Sequence, residues 1–107
     1  MSKSARKLVR STDRRRYLIH LTCTLKVGDD SRHYVVRIQP WTSRLRDRAQ
    51  RRERFFNDEY ELVQVVNPLL PDGSDVRDVI GHIECNAGFF YLLHLTPEQA
   101  QTLGWHR

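Results

Sequence analysis

From Tyr17 to Val27 the chain alternates without interruption. Tyr17, Ile19, Leu21, Cys23, Leu25 and Val27 share one face, and Leu18, His20, Thr22, Thr24 and Lys26 share the other. A period of two belongs to an extended strand, whose successive side chains point to opposite sides of a sheet. The chain must therefore build a sheet and bury its apolar face. Gly28-Asp29-Asp30-Ser31 is a turn by composition. Beyond it Tyr34, Val36 and Ile38 alternate with His33, Val35, Arg37 and Gln39, which predicts a second strand antiparallel to the first. Pro40 ends it.

The rest of the chain gives weaker signals. Residues 43–56, SRLRDRAQRRERFF, read as a helix capped by Thr42 or Ser43, with Leu45, Ala49 and Phe56 on a narrow apolar stripe. Arg44 and Arg46 crowd the positive end of that helix, a conflict with its dipole. Tyr60 to Val66 carries apolar residues on both faces and reads as a central third strand. A loop with Pro68, Pro71 and Gly73 follows. Residues 78–85 and 89–95 then read as a hairpin across Asn86-Ala87-Gly88. Thr96-Pro97-Glu98-Gln99 has the form of a helix start: cap, proline at the first position, acid, then Gln three after the cap. Gly104 closes that helix and Trp105 packs back on it. The predicted order is ββαβββα. This is a single α+β domain over 14–107, with a mostly antiparallel sheet of about five strands, one Arg-rich helix and a short C-terminal helix. Residues 1–13 read as a flexible basic arm.

Composition narrows the function classes. The 107 residues suit one domain. No apolar run approaches the roughly 18 residues of a membrane span. The basic amino terminus lacks the apolar stretch of a secretory signal, so the expected compartment is cytoplasmic and no membrane partner is expected. Two cysteines do not make a disulfide framework. Charge is unevenly placed. Residues 1–54 hold 16 Lys+Arg and 5 Asp+Glu, net +11, whereas residues 55–107 hold 2 and 8, net −6. Arg outnumbers Lys 15 to 3. The guanidinium fork matches phosphate and carboxylate in a bidentate manner and stacks on flat rings, so this excess points to contact rather than to solubility alone.

Signals for catalysis or metal binding are poor. His20-Leu-Thr-Cys23 and His82-Ile-Glu-Cys85 share the spacing H-x2-C. In strands, residues three apart face opposite ways, so each His looks away from its Cys and no zinc site is expected. His20, His82 and His94 fall on the polar faces of predicted strands, and the expected reading is three separate surface histidines. Residues 87–94 partly echo the aromatic strand of RNA-recognition modules. They lack the leading cation and place bulky Phe90 where a small residue belongs, so Phe89 and Tyr91 read as packing residues. There is no G-x-S-x-G elbow and no glycine-rich phosphate loop. The expectation is a non-enzymatic protein without cofactor or metal.

What remains is a basic footprint. Arg14, Arg15 and Arg16 close the arm, and Arg44, Arg48, Arg51 and Arg52 lie on the predicted helix, with Trp41 as a stacking residue. These residues predict a nucleic-acid-binding regulatory or accessory protein of bacterial or phage type, with DNA and RNA not distinguished. The alternative is a protein-interaction module, an adaptor or inhibitor that docks on an acidic surface of a larger machine. Free sheet edges leave room for a homodimer.

Overall fold

The computed structural model describes residues 14–25, 28, 32–41, 50–84 and 88–106. Four strands form one antiparallel sheet in the order β3-β2-β1-β4. They are β1 (Arg15–Leu25), β2 (Arg32–Pro40), β3 (Arg52–Phe56) and β4 (Phe89–Leu95). The alternating segment is β1, and it lies inside the sheet. Its register sets Ile19 opposite Ile38 of β2 and Tyr91 of β4. The odd-numbered face of β1 is sealed, with Tyr17, Ile19 and Leu21 each at most 1% exposed. The two predicted strands are thus present over 17–25 and 34–39, residues 26 and 27 lying outside the described residues, and they pair as expected.

Among the described residues three helices cover that face: α1 (Glu59–Val66), α2 (Ile80–Glu84) and α3 (Pro97–Thr102), with 3-10 turns at Asn67–Leu69 and Val76–Val79. Their buried residues Leu62, Val66, Val76, Ile83 and Leu103 join Tyr17, Val36, Phe56 and Leu95 in one core. No helix among the described residues is long and apolar enough to cross a membrane.

Four expectations are corrected. The sheet has four strands, not about five. The predicted third strand at 60–66 is helix α1. Asp58 caps it by accepting from Glu61 N at 2.9 Å, and Glu59 and Glu61 lie in its first turn, where acids complement the helix dipole. Leu62 and Val66, four apart, are its buried stripe. The valines at 63, 65 and 66 imitate strand composition, but the cap decides the conformation locally. The predicted strand at 78–85 is a 3-10 turn running into α2, with Val76, Ile80 and Ile83 buried at helical spacing. No hairpin therefore joins it to β4, which pairs with β1 instead.

The fourth correction concerns the arginine helix. Residues 52–56 of the predicted helix form β3, paired with β2 from Ile38↔Arg52 to Tyr34↔Phe56. Residues 42–49, with Arg44 and Arg48, lie outside the described residues, as do residues 1–13 of the basic arm. Within β3 the face turned to the core carries Arg52, Arg54 and Phe56. The Arg52 guanidinium sits 5.5 Å from the Trp105 ring centre, and that of Arg54 sits 4.7 Å from Phe56. Arginine stems line the apolar margin while their heads reach rings and water, so the period of two hides inside a charged run.

Loops are pinned by side chains. Asn67 accepts from Val76 N at 2.8 Å and donates to Asp75 at 2.9 Å. Arg77 and the Asn67 amide hold the Asp75 carboxyl well below the usual carboxylate range. The Tyr34 hydroxyl donates to Glu84 at 2.7 Å, tying α2 to β2. Burial and that carboxylate push the phenol well above its ordinary range.

The predicted capping box at Thr96 is complete: Thr96 N donates to Gln99 Oε1 at 2.9 Å, and Gln99 N donates to Thr96 Oγ1 at 3.2 Å. Gly104 then turns the chain at φ +94°, with Glu53 O only 2.9 Å from where a Cβ would stand. Trp105 follows, buried, edge-on to Tyr17 at 5.9 Å. The carboxy-terminal segment thus reaches from edge strand β4 to β3 on the opposite edge.

Gly73 also has positive φ, +84°, but nothing lies within 4 Å of its added Cβ. Gly73→Ala should therefore cost about 1–2 kcal/mol, the left-handed backbone penalty alone. Gly104→Ala should cost a further ~1–3 kcal/mol for the overpacked contact. Urea unfolding of both variants checks this, and equal losses would show that the β3 contact yields freely.

Candidate nucleic-acid interface on the open sheet face

Among the described residues, no helix covers the face of the sheet opposite α1, α2 and α3. Alternation places Arg16, Leu18, His20, Thr22 and Thr24 of β1 there, with His33, Val35, Arg37, Gln39 and then Trp41 from β2. Glu53 and Phe55 come from β3, and Phe90, Leu92 and His94 from β4. Val35 and Gln39 on this face are buried. Large apolar groups stand in solvent: Phe55 is 65% exposed, Phe90 56%, Leu92 48% and Trp41 41%. An exposed apolar set with interspersed cations is how a binding surface differs from ordinary polar surface.

Register aligns one transverse row across all four strands, Phe90–His20–Arg37–Glu53. The His20 and Phe90 rings stack nearly parallel, 4.1 Å between centres and 4° between planes. Arg37 is held on two sides. Its Nε donates to Glu53 at 2.7 Å and its Nη1 to Thr22 Oγ1 at 3.1 Å. Next to this row lies a shallow depression of about 240 Å³, lined by Leu18, His20, Arg37, Gln39, Arg51 and Phe90. Burial, and then the charges of Arg37 and Arg51, push the His20 imidazolium below its ordinary pKa. The local potential is positive, and a neutral ring is favoured there.

Charge segregates by layer. Glu53 is the one carboxylate on this face among the described residues. Asp58, Glu59, Glu61, Asp72, Asp75, Asp78, Glu84 and Glu98 all belong to the helices and the loops between them. Among the described residues, the acidic carboxy-terminal half thus supplies the helical layer, while Arg16, Arg37 and Arg51 of the basic half lie on or beside the open sheet face.

The predicted site residues divide accordingly. Arg16 is exposed on the open face, Trp41 stands at its end with its N–H on Arg16 O at 2.9 Å, and Arg51 borders the depression. Arg14 is exposed and donates to His94 O at 3.2 Å and Gln99 Oε1 at 3.1 Å. Arg15 is exposed at the end of the helix-side face, opposite Leu95. Arg52 turns to the helix side and covers Trp105, so it does not join Arg51. Arg44 and Arg48 lie outside the described residues.

His20 and His94 share the open face, whereas His82 belongs to α2 in the helical layer, 6.3 Å from Phe89. Among the described residues no three His, Cys, Asp or Glu side chains group as metal ligands, and Cys85 lies outside them. Sequence reasoning misses Arg37, His20 and Phe90 as a unit. Their phase within each strand is readable, but which strands pair is not.

No family model matches this chain, and neither the comparison with curated proteins nor that with solved structures finds a match. The functional reading therefore rests on the face itself.

His20 links stability to pH with a definite sign. Its folded pKa lies below the ordinary 6.5, so the unfolded chain takes up the proton first, and stability falls as pH drops below about 6.5. Replacing the ring by Gln removes this component. The stability gap between wild type and His20→Gln should be constant above about pH 7 and should shift against the wild type on approaching about pH 5. Urea titrations at several pH values measure it, and a pH-independent gap would contradict the placement of His20.

Proposed function

We propose that the protein binds single-stranded nucleic acid along the open face of its sheet. The observation that carries this reading is the pattern on that face: Trp41, Phe55 and Phe90 exposed among Arg16, Arg37 and Arg51, with Glu53 the one carboxylate among the described residues. Rings offer stacking surfaces to unpaired bases, and guanidinium groups track the phosphates. A sheet presents these groups in rows about 5 Å apart, suited to bases splayed from a flexible strand. This differs from the helix-in-groove contact that an arginine helix implies, because Arg51 and Arg52 flank and begin a strand rather than sit on a helix. The chemistry is binding by counterion release and stacking, with no bond made or broken in the nucleic acid.

A labelled uridine 12-mer, titrated by fluorescence anisotropy across a salt series, tests the proposal. Three phosphate contacts give a slope of log K against log salt near −2. Gln at Arg16, Arg37 and Arg51 together should flatten it to near zero. Trp41→Ala and Phe55→Ala should each weaken binding by ~5-fold or more, the loss of one stacked base. Absence of binding at low salt, with stoichiometric capture of an acidic protein instead, would overturn this reading in favour of a protein-interaction module.

A further inference from the structure

The depression beside Phe90 has the chemistry of a more specific site. We propose that it is a nucleotide subsite, in which one phosphate sits between Arg37 and Arg51 and the attached base lies in the depression against the His20–Phe90 ring pair. The proposal rests on the single-strand reading and assigns one position within it.

Size is the first argument. About 240 Å³ is below the ~300–1,000 Å³ of pockets that enclose a whole small molecule. The depression therefore seats part of a ligand that continues along the surface. Charge is the second. Two guanidinium groups border it, and Glu53 is the carboxylate that reaches either of them among the described residues. Glu53 and Thr22 engage Nε and Nη1 of Arg37, which fixes the guanidinium plane before a ligand arrives. An oriented guanidinium loses less conformational freedom on binding an anion.

The third argument is the ring pair. His20 and Phe90 are stacked and both line the depression, and Phe90 is 56% exposed, so the pair offers a base the ring surface that borders the depression. Gly88 keeps the pair together. At φ +69° it lies against His20, and a Cβ there would stand 2.6 Å from Nε2 of the ring and 3.2 Å from Leu21 O. Any side chain at 88 must push the imidazole off its stack or move the start of β4. Among the described residues, the groups facing His20 are Gly88 and Phe90 from the β4 side, Arg37 from β2, Arg51 ahead of β3, and Glu53 one step further along the row.

NMR titration with uridine 5′-monophosphate tests the subsite directly, alongside the 12-mer. The nucleotide should perturb Phe90 ring signals and the Arg37 and Arg51 side chains at millimolar concentration. It should also raise the pH at which His20 titrates, because an anion beside the ring favours the charged imidazole. Uridine or inorganic phosphate alone should act at least ~10-fold more weakly, since each supplies half of the contact. Phe90→Leu and Arg51→Gln should each weaken nucleotide binding ~5-fold or more. Gly88→Ala should weaken it by displacing the His20 ring or the start of β4 without removing any ligand-facing side chain, and unaltered near-ultraviolet circular dichroism of Phe90→Leu and Arg51→Gln excludes simple unfolding.

If the 12-mer binds through Trp41 and Phe55 while Phe90→Leu, Arg51→Gln and Gly88→Ala leave it unchanged, the subsite is overturned and the single-strand reading stands. If the 12-mer does not bind but the mononucleotide shifts His20 and Phe90, the reverse holds. Nucleotide perturbations spread evenly over all surface arginines overturn the subsite outright.

Discussion

The sealed face of β1 is the constraint on which the rest depends. Tyr17, Ile19 and Leu21 are almost wholly removed from water, and each fully buried apolar side chain contributes about 1.5–3 kcal/mol relative to exposure. Pairing with β2 on one side and β4 on the other satisfies the β1 backbone over most of its length and commits its even-numbered residues to the opposite face. Once Ile19 is inside, His20 has to be outside. The candidate interface is a geometric consequence of core formation rather than a separate construction.

The same reasoning explains how a small domain of high charge density holds together. Among the described residues all the acids but Glu53 lie in the layer that covers the core, and Arg54 of β3 reaches one of them, Glu61, at 3.9 Å. Glu53 crosses this division, and by pairing with Arg37 it orients a cation on the open sheet face. An exposed pair of this kind adds little to stability, typically under about 1 kcal/mol. Its effect lies in geometry, holding one guanidinium at the rim of a depression that Leu18 and Phe90 make partly apolar.

Local signals with a fixed geometric meaning are legible in the sequence. The alternation of β1, the stop at Pro40 and the Thr96–Gln99 box all appear in the fold, because each acts within a few residues. Composition misleads where it stands in for such a signal. Three valines at 63–66 suggest a strand, but the Asp58 cap and the Leu62–Val66 spacing make a helix. The arginines of 51–54 suggest a helix, yet β2 needs an edge partner, and guanidinium stems tolerate an apolar margin. Charge and ring chemistry single out eight residues, of which Arg16, Trp41 and Arg51 lie on or beside the open face, Arg15 ends the helix-side face, Arg14 bonds to His94 and Gln99, and Arg44 and Arg48 lie outside the described residues. Arg52 is grouped with them on the same grounds, because no sequence rule says that it turns under to Trp105.

The amino-acid sequence alone dictates that a sheet must form, which face of each clear strand is apolar, where the last helix begins, and that cations concentrate in one half. These are properties of neighbours along the chain. Tertiary structure is needed to put β4 beside β1, to stack Phe90 on His20 across 70 residues of chain, and to bring Arg37 and Arg51 to the border of the same depression. Such juxtapositions depend on strand order, which follows from how all the apolar faces are buried at once. No stretch of the chain shorter than the whole domain carries that information.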